Sequence, residues 1–194
     1  MTLVTVAALY GAGGSRVAPA LAQRLDVPFL GRPHLPHPEE CGDEAPRLSK
    51  LASMAVAWGT PPGLSVEDLL PDEAKRREFE REAQALAETG RGVILGRAGV
   101  ALLREHPRVL HVLLDGPKAA RVEQAMAIED ISRAEAERRL NRADRFRRAY
   151  LQDLYGIDPR EPGVFHMTLD STALSLDDCV DLIARAAGTR AAPR

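Results

Sequence analysis

The sequence predicts a three-layer α/β/α fold in which helices cover both faces of a five-stranded parallel sheet. Short apolar segments alternate along the chain with amphipathic stretches of helical period, as βαβ units require. The apolar segment Val109–Leu114 is almost continuously hydrophobic, which is typical of a central strand covered on both faces. The first apolar segment runs through a glycine-rich loop directly into a helix.

The N-terminal elements follow from this pattern. Leu3–Ala8 is predicted to be a buried strand because nearly all of its residues are apolar. The apolar residues of Ser15–Leu25 recur at helical spacing, and Val27–Leu30 is a short second strand. The proline-rich stretch 31–72 has poor periodicity apart from a short helical pattern at 48–58. We therefore expect an irregular insert or mobile flap there.

The middle of the chain repeats the order of helix and strand. Asp72–Glu88 is predicted to be a helix that ends before Gly90, because its apolar residues share one face. Gly92–Leu95 is the third strand and Val100–Arg104 a short helix. Val109–Leu114 is the fourth strand, which completes a second βαβ unit.

The next helices are marked by their first residues. Pro117 stands at the favoured first-turn position of one helix. Ser132 and Glu135 form a capping box that opens a long arginine-rich helix ending at about Tyr155. The sequence thus predicts two consecutive helices between the fourth and fifth strands.

The C-terminal part supplies the last strand, Val164–Leu169, and a final helix. Ser175 is predicted to cap this helix, which ends before Gly188. The predicted organisation is a single domain over residues 1–188 and a frayed tail over 189–194.

Composition narrows the classes of function. The net charge of −2 over 194 residues provides no general attraction to nucleic acid or to an anionic membrane. Two cysteines make no disulfide framework and fit a reducing compartment. The chain start lacks the features of a signal peptide, and no apolar run reaches membrane-spanning length. We expect a cytoplasmic protein whose partner is a small molecule, with neither nucleic-acid nor membrane binding.

The glycine loop at residues 10–15 is the most specific candidate site. A loop of this kind that opens a helix presents backbone N–H groups to an anion, and the helix dipole adds positive potential. The site that it builds best is a phosphate cradle, and the alternative is a plain turn whose glycines serve only geometry. The candidate phosphate-binding residues are Gly11, Ala12, Gly13, Gly14, Ser15 and Arg16.

The loop departs from the usual P-loop pattern G-x-x-x-x-G-K-[ST]. Ala8 stands at the first glycine and Gly14 at the lysine, whereas Ser15 retains the hydroxyl that binds Mg²⁺. Arg16 is a poor substitute for the lysine, because two residues along a helix turn it away by roughly 200°. The pattern by itself suggests that Gly14→Lys would restore the lost charge and tighten the binding of ATP and Mg²⁺.

Two further candidates follow predicted strands. Arg97 lies at the carboxyl end of the third strand, where open α/β sheets bind ligands, and an arginine there can clamp a phosphate. Alternatively it caps a helix or pairs with a surface acid. Asp115 ends the fourth strand, where its carboxylate either helps to bind Mg²⁺ or caps the helix that begins at Pro117.

A charge run over residues 133–150 forms the third candidate region. Such a run is usually a solvated helix face with acid–arginine pairs at helical spacing. Asp144, Arg147 and Tyr150 differ because they recur every three residues and therefore lie along one side of the helix. An acid, a guanidinium and a phenol on one side suit a polar, phosphorylated ligand.

These landmarks together resemble the cytidylate kinase-like family, a branch of the P-loop nucleoside monophosphate kinases. The resemblance covers most of the chain, is weakest over 31–72, and is strongest over residues 10–30, 92–114, 144–150 and 170–172. It implies the kinase type of parallel sheet, with ATP and Mg²⁺ as cofactors and a nucleotide as the partner.

The resemblance also implies roles for individual residues. The glycine loop would hold the donor phosphates, and the segment Asp170-Ser171-Thr172, with Thr172 as its binding residue, would lie beside the donor base. The region 132–155 would be a lid, and 31–72 an insert on the acceptor side. The residues implied at the acceptor nucleotide are Arg97, Asp144 and Arg147. The implied catalytic arginines, which contact or close over the transferring group, are Arg97, Arg142, Arg145 and Arg147.

The chain departs from the family pattern at the lysine position, Gly14, and at Ala98, where cytidylate kinases have aspartate. Residues 7–9 read Ala-Ala-Leu where lysine-less relatives often carry Ser-Arg-Glu. Because phosphoryl transfer depends on positioning and charge neutralisation, two main hypotheses follow. One is a phosphotransferase whose default acceptor is CMP or dCMP. The other is a non-catalytic nucleotide- or anion-binding protein, such as a regulator. A structural protein without a ligand is a third hypothesis.

Overall fold

The structure, a computed structural model, describes residues 2–31, 73–96 and 99–189. For residues 73–76, 145–150 and 153–154 it describes the backbone alone. The strands are β1 Thr2–Ala8, β2 Phe29–Leu30, β3 Arg91–Leu95, β4 Val109–Asp115 and β5 Met167–Asp170. The helices are α1 Gly14–Leu25, α2 Glu73–Thr89, α3 Gly99–Leu102, α4 Lys118–Glu129, α5 Arg133–Tyr155 and α6 Leu176–Thr189.

The predicted three-layer fold is confirmed. The five strands form one parallel sheet in the order β2-β3-β1-β4-β5. Alternate residues of β1 point to opposite faces, so that Val4 and Val6 pack with α1 and α6 while Leu3 packs with α2. The carboxyl end of β1 therefore lies in the middle of the sheet edge that carries the glycine loop.

The last strand begins three residues later than predicted. Val164 is buried, but it packs with Val100 and Ile157 in a small cluster away from the sheet. Pairing with β4 begins only where the N–H of His166 donates to the carbonyl of His111 at 2.9 Å. The apolar residues before Met167 thus belong to a second hydrophobic cluster. An apolar run in the sequence does not show whether its residues pair in the sheet or pack elsewhere.

The other boundaries differ mainly at their ends. The final helix continues through Gly188 to Thr189, because that glycine lacks the left-handed backbone that would end the helix there. Of the predicted capping box of α5, the Ser132 cap is confirmed, since the hydroxyl of Ser132 accepts from the N–H of Glu135 at 3.3 Å. The carboxylate of Glu135 binds Arg138 and Arg139 rather than closing the box. The cap of α6 is confirmed by the 3.0 Å bond from the N–H of Asp178 to the hydroxyl of Ser175.

The predicted insert at 31–72, with its short helix at 48–58, lies outside the described residues except for Gly31. The predicted tail also lies outside them, except for Thr189. Across the helices that the structure describes, none has both the length and the apolar character needed to cross a membrane.

Candidate functional site

The glycine loop leaves β1 at Ala8 and enters α1 at Gly14 through two left-handed residues. The φ angles are 78° at Gly11 and 70° at Gly13, a region that glycine occupies without strain. The N–H of Leu9 donates to the carbonyl of Leu114 at 3.0 Å, which keeps the start of the loop registered on β4. The loop is therefore a compact turn at the centre of the sheet edge.

The N–H groups at the start of α1 are available to an anion. Within residues 2–31, 73–96 and 99–189, no protein acceptor takes the N–H of Gly13, Gly14 or Ser15. The first turn of α1 contains no acidic residue, so no carboxylate competes for the positive end of the helix dipole. This donor set fits a phosphate group, as the sequence predicts.

Three side chains from other parts of the chain hold the loop from outside. They donate to three consecutive loop carbonyls, those of residues 10, 11 and 12. The bonds run from Arg121 Nη1 to the Tyr10 oxygen at 2.8 Å, from Gln124 Nε2 to the Gly11 oxygen at 2.9 Å, and from Ser171 Oγ to the Ala12 oxygen at 2.8 Å. Ser171 belongs to the segment 170–172, which the resemblance places beside the donor base, whereas neither Arg121 nor Gln124 belongs to a motif that the sequence marks as a candidate site.

Arg121 is almost completely buried beside the loop, with 2% of its surface exposed. Its Nε donates to the Gly116 carbonyl at 2.9 Å, and its Nη2 donates to Asp144 Oδ2 at 2.8 Å. The carboxylate of Asp115 lies 3.7 Å from the same Nε. The charge of Arg121 is thus compensated inside the protein by two carboxylates, and all three guanidinium nitrogens donate.

Asp144 is occupied on the side of the glycine loop. Its Oδ2 accepts from Arg121, and its Oδ1 accepts from the N–H of Tyr10 at 3.2 Å. The resemblance assigns this residue to an acceptor nucleotide, whereas in the structure both carboxylate oxygens bind protein donors. The same carboxylate therefore joins α5 to α4 and to the loop.

Tyr10 ties the loop to the helical hairpin of α4 and α5. Its ring packs with Val122, Ala125, Ala136 and Leu140, and its hydroxyl donates to Glu129 Oε2 at 2.7 Å. Burial and the adjacent Glu129 carboxylate raise the pKa of the phenol, which therefore remains a donor. Arg139 binds the same Glu129 oxygen at 2.9 Å. This part of the predicted charge run therefore joins α4, α5 and the glycine loop.

Gly14 has no space for a side chain. A Cβ at this position would lie 2.4 Å from the Cβ of Ala8, far inside van der Waals contact. The expectation that Gly14→Lys alone would repair the loop is therefore wrong for a steric reason. Ala8 and Gly14 are the two positions at which the sequence departs from the usual P-loop, and the structure places them against each other.

The predicted metal and donor-base residues lie at the same sheet edge. Asp115 Oδ1 accepts from the N–H of Gly116 at 2.7 Å, and α4 begins without a side-chain cap, so the capping role considered for Asp115 is wrong. Ser15 is exposed at the start of α1. Thr172 donates its hydroxyl to Asp170 Oδ1 at 2.6 Å. Among the described residues, no three His, Cys, Asp or Glu side chains gather as metal ligands.

Asp170 shapes the turn that carries Thr172. Its Oδ1 accepts from the Thr172 N–H and hydroxyl and from the Ala173 N–H, and these bonds lower the pKa of the carboxyl group. A lowered native pKa means that the carboxylate stabilises the fold above its unfolded pKa of about 4, and that this stabilisation is lost as the pH falls through the native pKa.

We therefore expect Asp170→Asn to flatten the acid limb of the stability curve. Urea unfolding of parent and variant between pH 6 and pH 3 measures the difference. Glu105→Gln, which removes an exposed carboxylate that forms no ion pair with the described residues, is the control and should leave the acid limb steeper than that of Asp170→Asn. If the stability of Asp170→Asn declines as steeply as that of the parent, the assignment is contradicted.

The structure describes some of the remaining predicted residues completely, some by their backbone alone and some not at all. Arg16 is exposed on the first turn of α1, and Arg142 is half-buried on α5 without an ion-pair partner among the described residues. Arg97 and Ala98 lie outside the described residues. Residues 145, 147 and 150 are on α5, but their side chains are not described, so the roles of Arg145, Arg147 and Tyr150 stay predictions.

The chain is similar in sequence to cytidylate kinases over most of its length. The model of the cytidylate kinase-like family matches residues 3–173. The cytidylate kinase of Methanopyrus kandleri is 24% identical over 185 residues, which span 93% of this chain and 90% of that protein.

Solved structures agree in fold. An uncharacterized protein from Eubacterium ventriosum has a TM-score of 0.70 at 15% identity, with 97% of this chain and 99% of that chain covered. The thymidylate kinase of Candida albicans has a TM-score of 0.54 at 16% identity, with 97% and 91% covered. These similarities indicate a kinase-like P-loop fold.

Proposed function

Since the chain belongs to the cytidylate kinase-like family, we propose that it transfers a phosphoryl group from ATP to a small phosphorylated acceptor. The default acceptor is a nucleoside monophosphate such as CMP or dCMP. The observation that carries the proposal is the cradle at Gly13–Ser15, whose N–H groups have no protein acceptor among the described residues. We also take the protein to act in the cytoplasm.

On the donor side, the cradle would hold the phosphates of ATP. The N–H groups of Gly13, Gly14 and Ser15 supply directed donors, and the dipole of α1 adds positive potential. The exposed Ser15 hydroxyl would bind Mg²⁺, which would neutralise charge on the phosphates, with Asp115 as a further candidate at the sheet edge. Thr172 would lie beside the donor base.

On the acceptor side, arginines would bind and orient the phosphate that receives the group. Arg97 comes two residues after the end of β3 in the sequence, and Arg147 follows Asp144 by about one helical turn on α5. Arg142 and Arg145 would close over the transferring group, and Tyr150 would contact the nucleotide. Asp144 would act on the site indirectly, by holding the glycine loop, because both of its oxygens accept from Tyr10 and Arg121.

One observation favours a second function, nucleotide or anion binding without catalysis. The site lacks the P-loop lysine, and Ala8 occupies the space that a side chain at position 14 needs. Charge neutralisation at the β- and γ-phosphates is a large part of phosphoryl-transfer catalysis. A cradle built from backbone N–H groups alone would bind a phosphate and still transfer it slowly.

We expect the protein to bind phosphates and to discriminate among acceptors. Thermal unfolding with ATP–Mg²⁺, ADP, pyrophosphate and sulfate measures the first property, and ligand at 100 times its Kd should add about 2.7 kcal/mol of stability. ADP release with CMP, dCMP, UMP and dTMP measures the second. ATP binding without ADP release for any monophosphate would favour the non-catalytic function.

The acceptor role of Arg97 has its own test. Arg97→Ala should weaken CMP binding by about 10- to 100-fold, because a charge-assisted contact contributes roughly 1.5–3 kcal/mol. ATP affinity should stay unchanged. Arg104→Ala is the matched control, since it removes an exposed arginine shortly after α3. Equal losses of CMP and ATP affinity in Arg97→Ala would contradict an acceptor-specific role.

A further inference from the structure

The three side chains that hold the loop carbonyls bear directly on the cradle. In a trans peptide the C=O of one residue and the N–H of the next point in opposite directions. The Ser171 hydroxyl holds the Ala12 carbonyl outside the cradle, so the N–H of Gly13 must point into it. In the same way, Arg121 holds the Tyr10 carbonyl and turns the N–H of Gly11 inward.

The loop needs such restraint because it is rich in glycine. Glycine adopts positive and negative φ with similar ease, so the peptide between Ala12 and Gly13 meets little torsional resistance to a flip. A flipped peptide would place a carbonyl oxygen, with its negative partial charge, where the phosphate is bound. The bond from Ser171 opposes this flip, and the Ser171 side chain is fully buried, so water does not compete for it.

We propose that Ser171 and Arg121 are positioning residues for a phosphate in the cradle, and that Asp144 acts through Arg121 on the same donor side. The inference rests on the proposed function only in taking the loop to bind phosphate. Asp144 binds Arg121 Nη2 and the Tyr10 N–H, while Arg121 Nη1 binds the Tyr10 carbonyl. The ion pair of Arg121 on α4 with Asp144 on α5 thus binds both the N–H and the carbonyl of Tyr10.

The test for Ser171 uses two variants that each remove one buried hydroxyl. Ser171→Ala removes the donor to the Ala12 carbonyl, and Thr5→Val removes a hydroxyl on β1 that binds His111 Nδ1 at 2.7 Å and does not contact the loop. Calorimetry with pyrophosphate should show about tenfold weaker binding for Ser171→Ala and parent affinity for Thr5→Val. Parent affinity in Ser171→Ala, or equal weakening in both, would overturn the role of Ser171.

The test for Asp144 separates the donor side from the acceptor side. Asp144→Asn should weaken pyrophosphate binding by about tenfold and leave CMP binding unchanged, because the charge that holds Arg121 is lost. Glu137→Gln, which removes an exposed carboxylate from the same helix, is the matched control. Weaker CMP binding with unchanged pyrophosphate binding would place Asp144 at the acceptor and overturn the inference for this residue.

Both tests measure the binding of pyrophosphate, and the second also measures the binding of CMP, so neither depends on turnover. A parent protein that binds pyrophosphate but transfers no phosphoryl group would refute the catalytic proposal alone. A parent protein that does not bind pyrophosphate would refute the cradle and this inference together.

Discussion

Gly14→Lys should destabilise the protein, although the motif makes it the obvious repair. The new Cβ would lie 2.4 Å from the Cβ of Ala8, and both residues belong to the well-packed junction of β1 and α1. Overpacking of this kind typically costs about 1–3 kcal/mol of unfolding free energy. Urea unfolding of the variant measures the loss.

The double variant Ala8→Gly/Gly14→Lys should recover most of that loss. Removing the Ala8 methyl opens the space that the Cβ of the new lysine needs, at the cost of about 0.5–1 kcal/mol for a glycine in a strand. ATP–Mg²⁺ should then bind more tightly, by roughly 1.5–3 kcal/mol for a charge-assisted contact. Ala8→Gly alone is the control, and it should be less stable than the parent with unchanged ATP affinity.

The four proteins form a double-mutant cycle that isolates the contact between positions 8 and 14. A favourable coupling energy in stability is the expected result. Additive effects would mean that the two departures from the P-loop pattern are independent. Tighter ATP binding by the double variant without faster ADP release would support the non-catalytic function.

Gly11→Ala should have a second large effect, on both stability and phosphate binding. Its Cβ would lie 2.1 Å from the backbone oxygen of Arg121, which α4 holds in place, and its φ of +78° is in the left-handed region. The left-handed region costs a residue with a Cβ about 1–2 kcal/mol. Together with overpacking, we expect a loss of roughly 2–5 kcal/mol of unfolding free energy.

Two glycines elsewhere separate the steric part from the torsional part. Gly156 has a φ of +63° with nothing within 4 Å of its Cβ position, so Gly156→Ala should show the torsional cost alone. Gly188 has neither constraint, so Gly188→Ala should leave stability unchanged or raise it slightly. A Gly11→Ala protein as stable as Gly156→Ala would show that α4 yields to the loop. Pyrophosphate affinity should fall only in Gly11→Ala.

The layer order and the strand-to-helix loop could be predicted because their signals are local. Each strand of the sheet core is a short apolar run, and the periodicity of α1 or α6 is contained in the helix itself. The predicted ends of strands are less accurate where an apolar residue packs in a cluster outside the sheet. The apolar character of Val164 predicts a strand residue, yet Val164 packs with Ile157 and Val100 instead.

The candidate site likewise has a part that the sequence predicts and a part that it does not. The phosphate cradle is a property of the six consecutive residues 10–15, so their glycines and the start of α1 predict it. The side chains that hold it are distant in sequence: Arg121 is 111 residues from Tyr10, Gln124 is 113 from Gly11, and Ser171 is 159 from Ala12. No spacing rule connects such pairs, and from the sequence Arg121 and Gln124 would be taken for ordinary helix residues.

A parallel α/β fold with a phosphate-binding loop at the centre of its sheet edge is thus contained in the order of the residues, because periodicity and loop chemistry act between near neighbours. How that loop is held and what it excludes depend on packing between distant parts of the chain. Ala8 fills the space at Gly14, and Asp144 binds Arg121 and Tyr10. Both results depend on which atoms packing brings within a few ångströms, and burial makes those contacts selective.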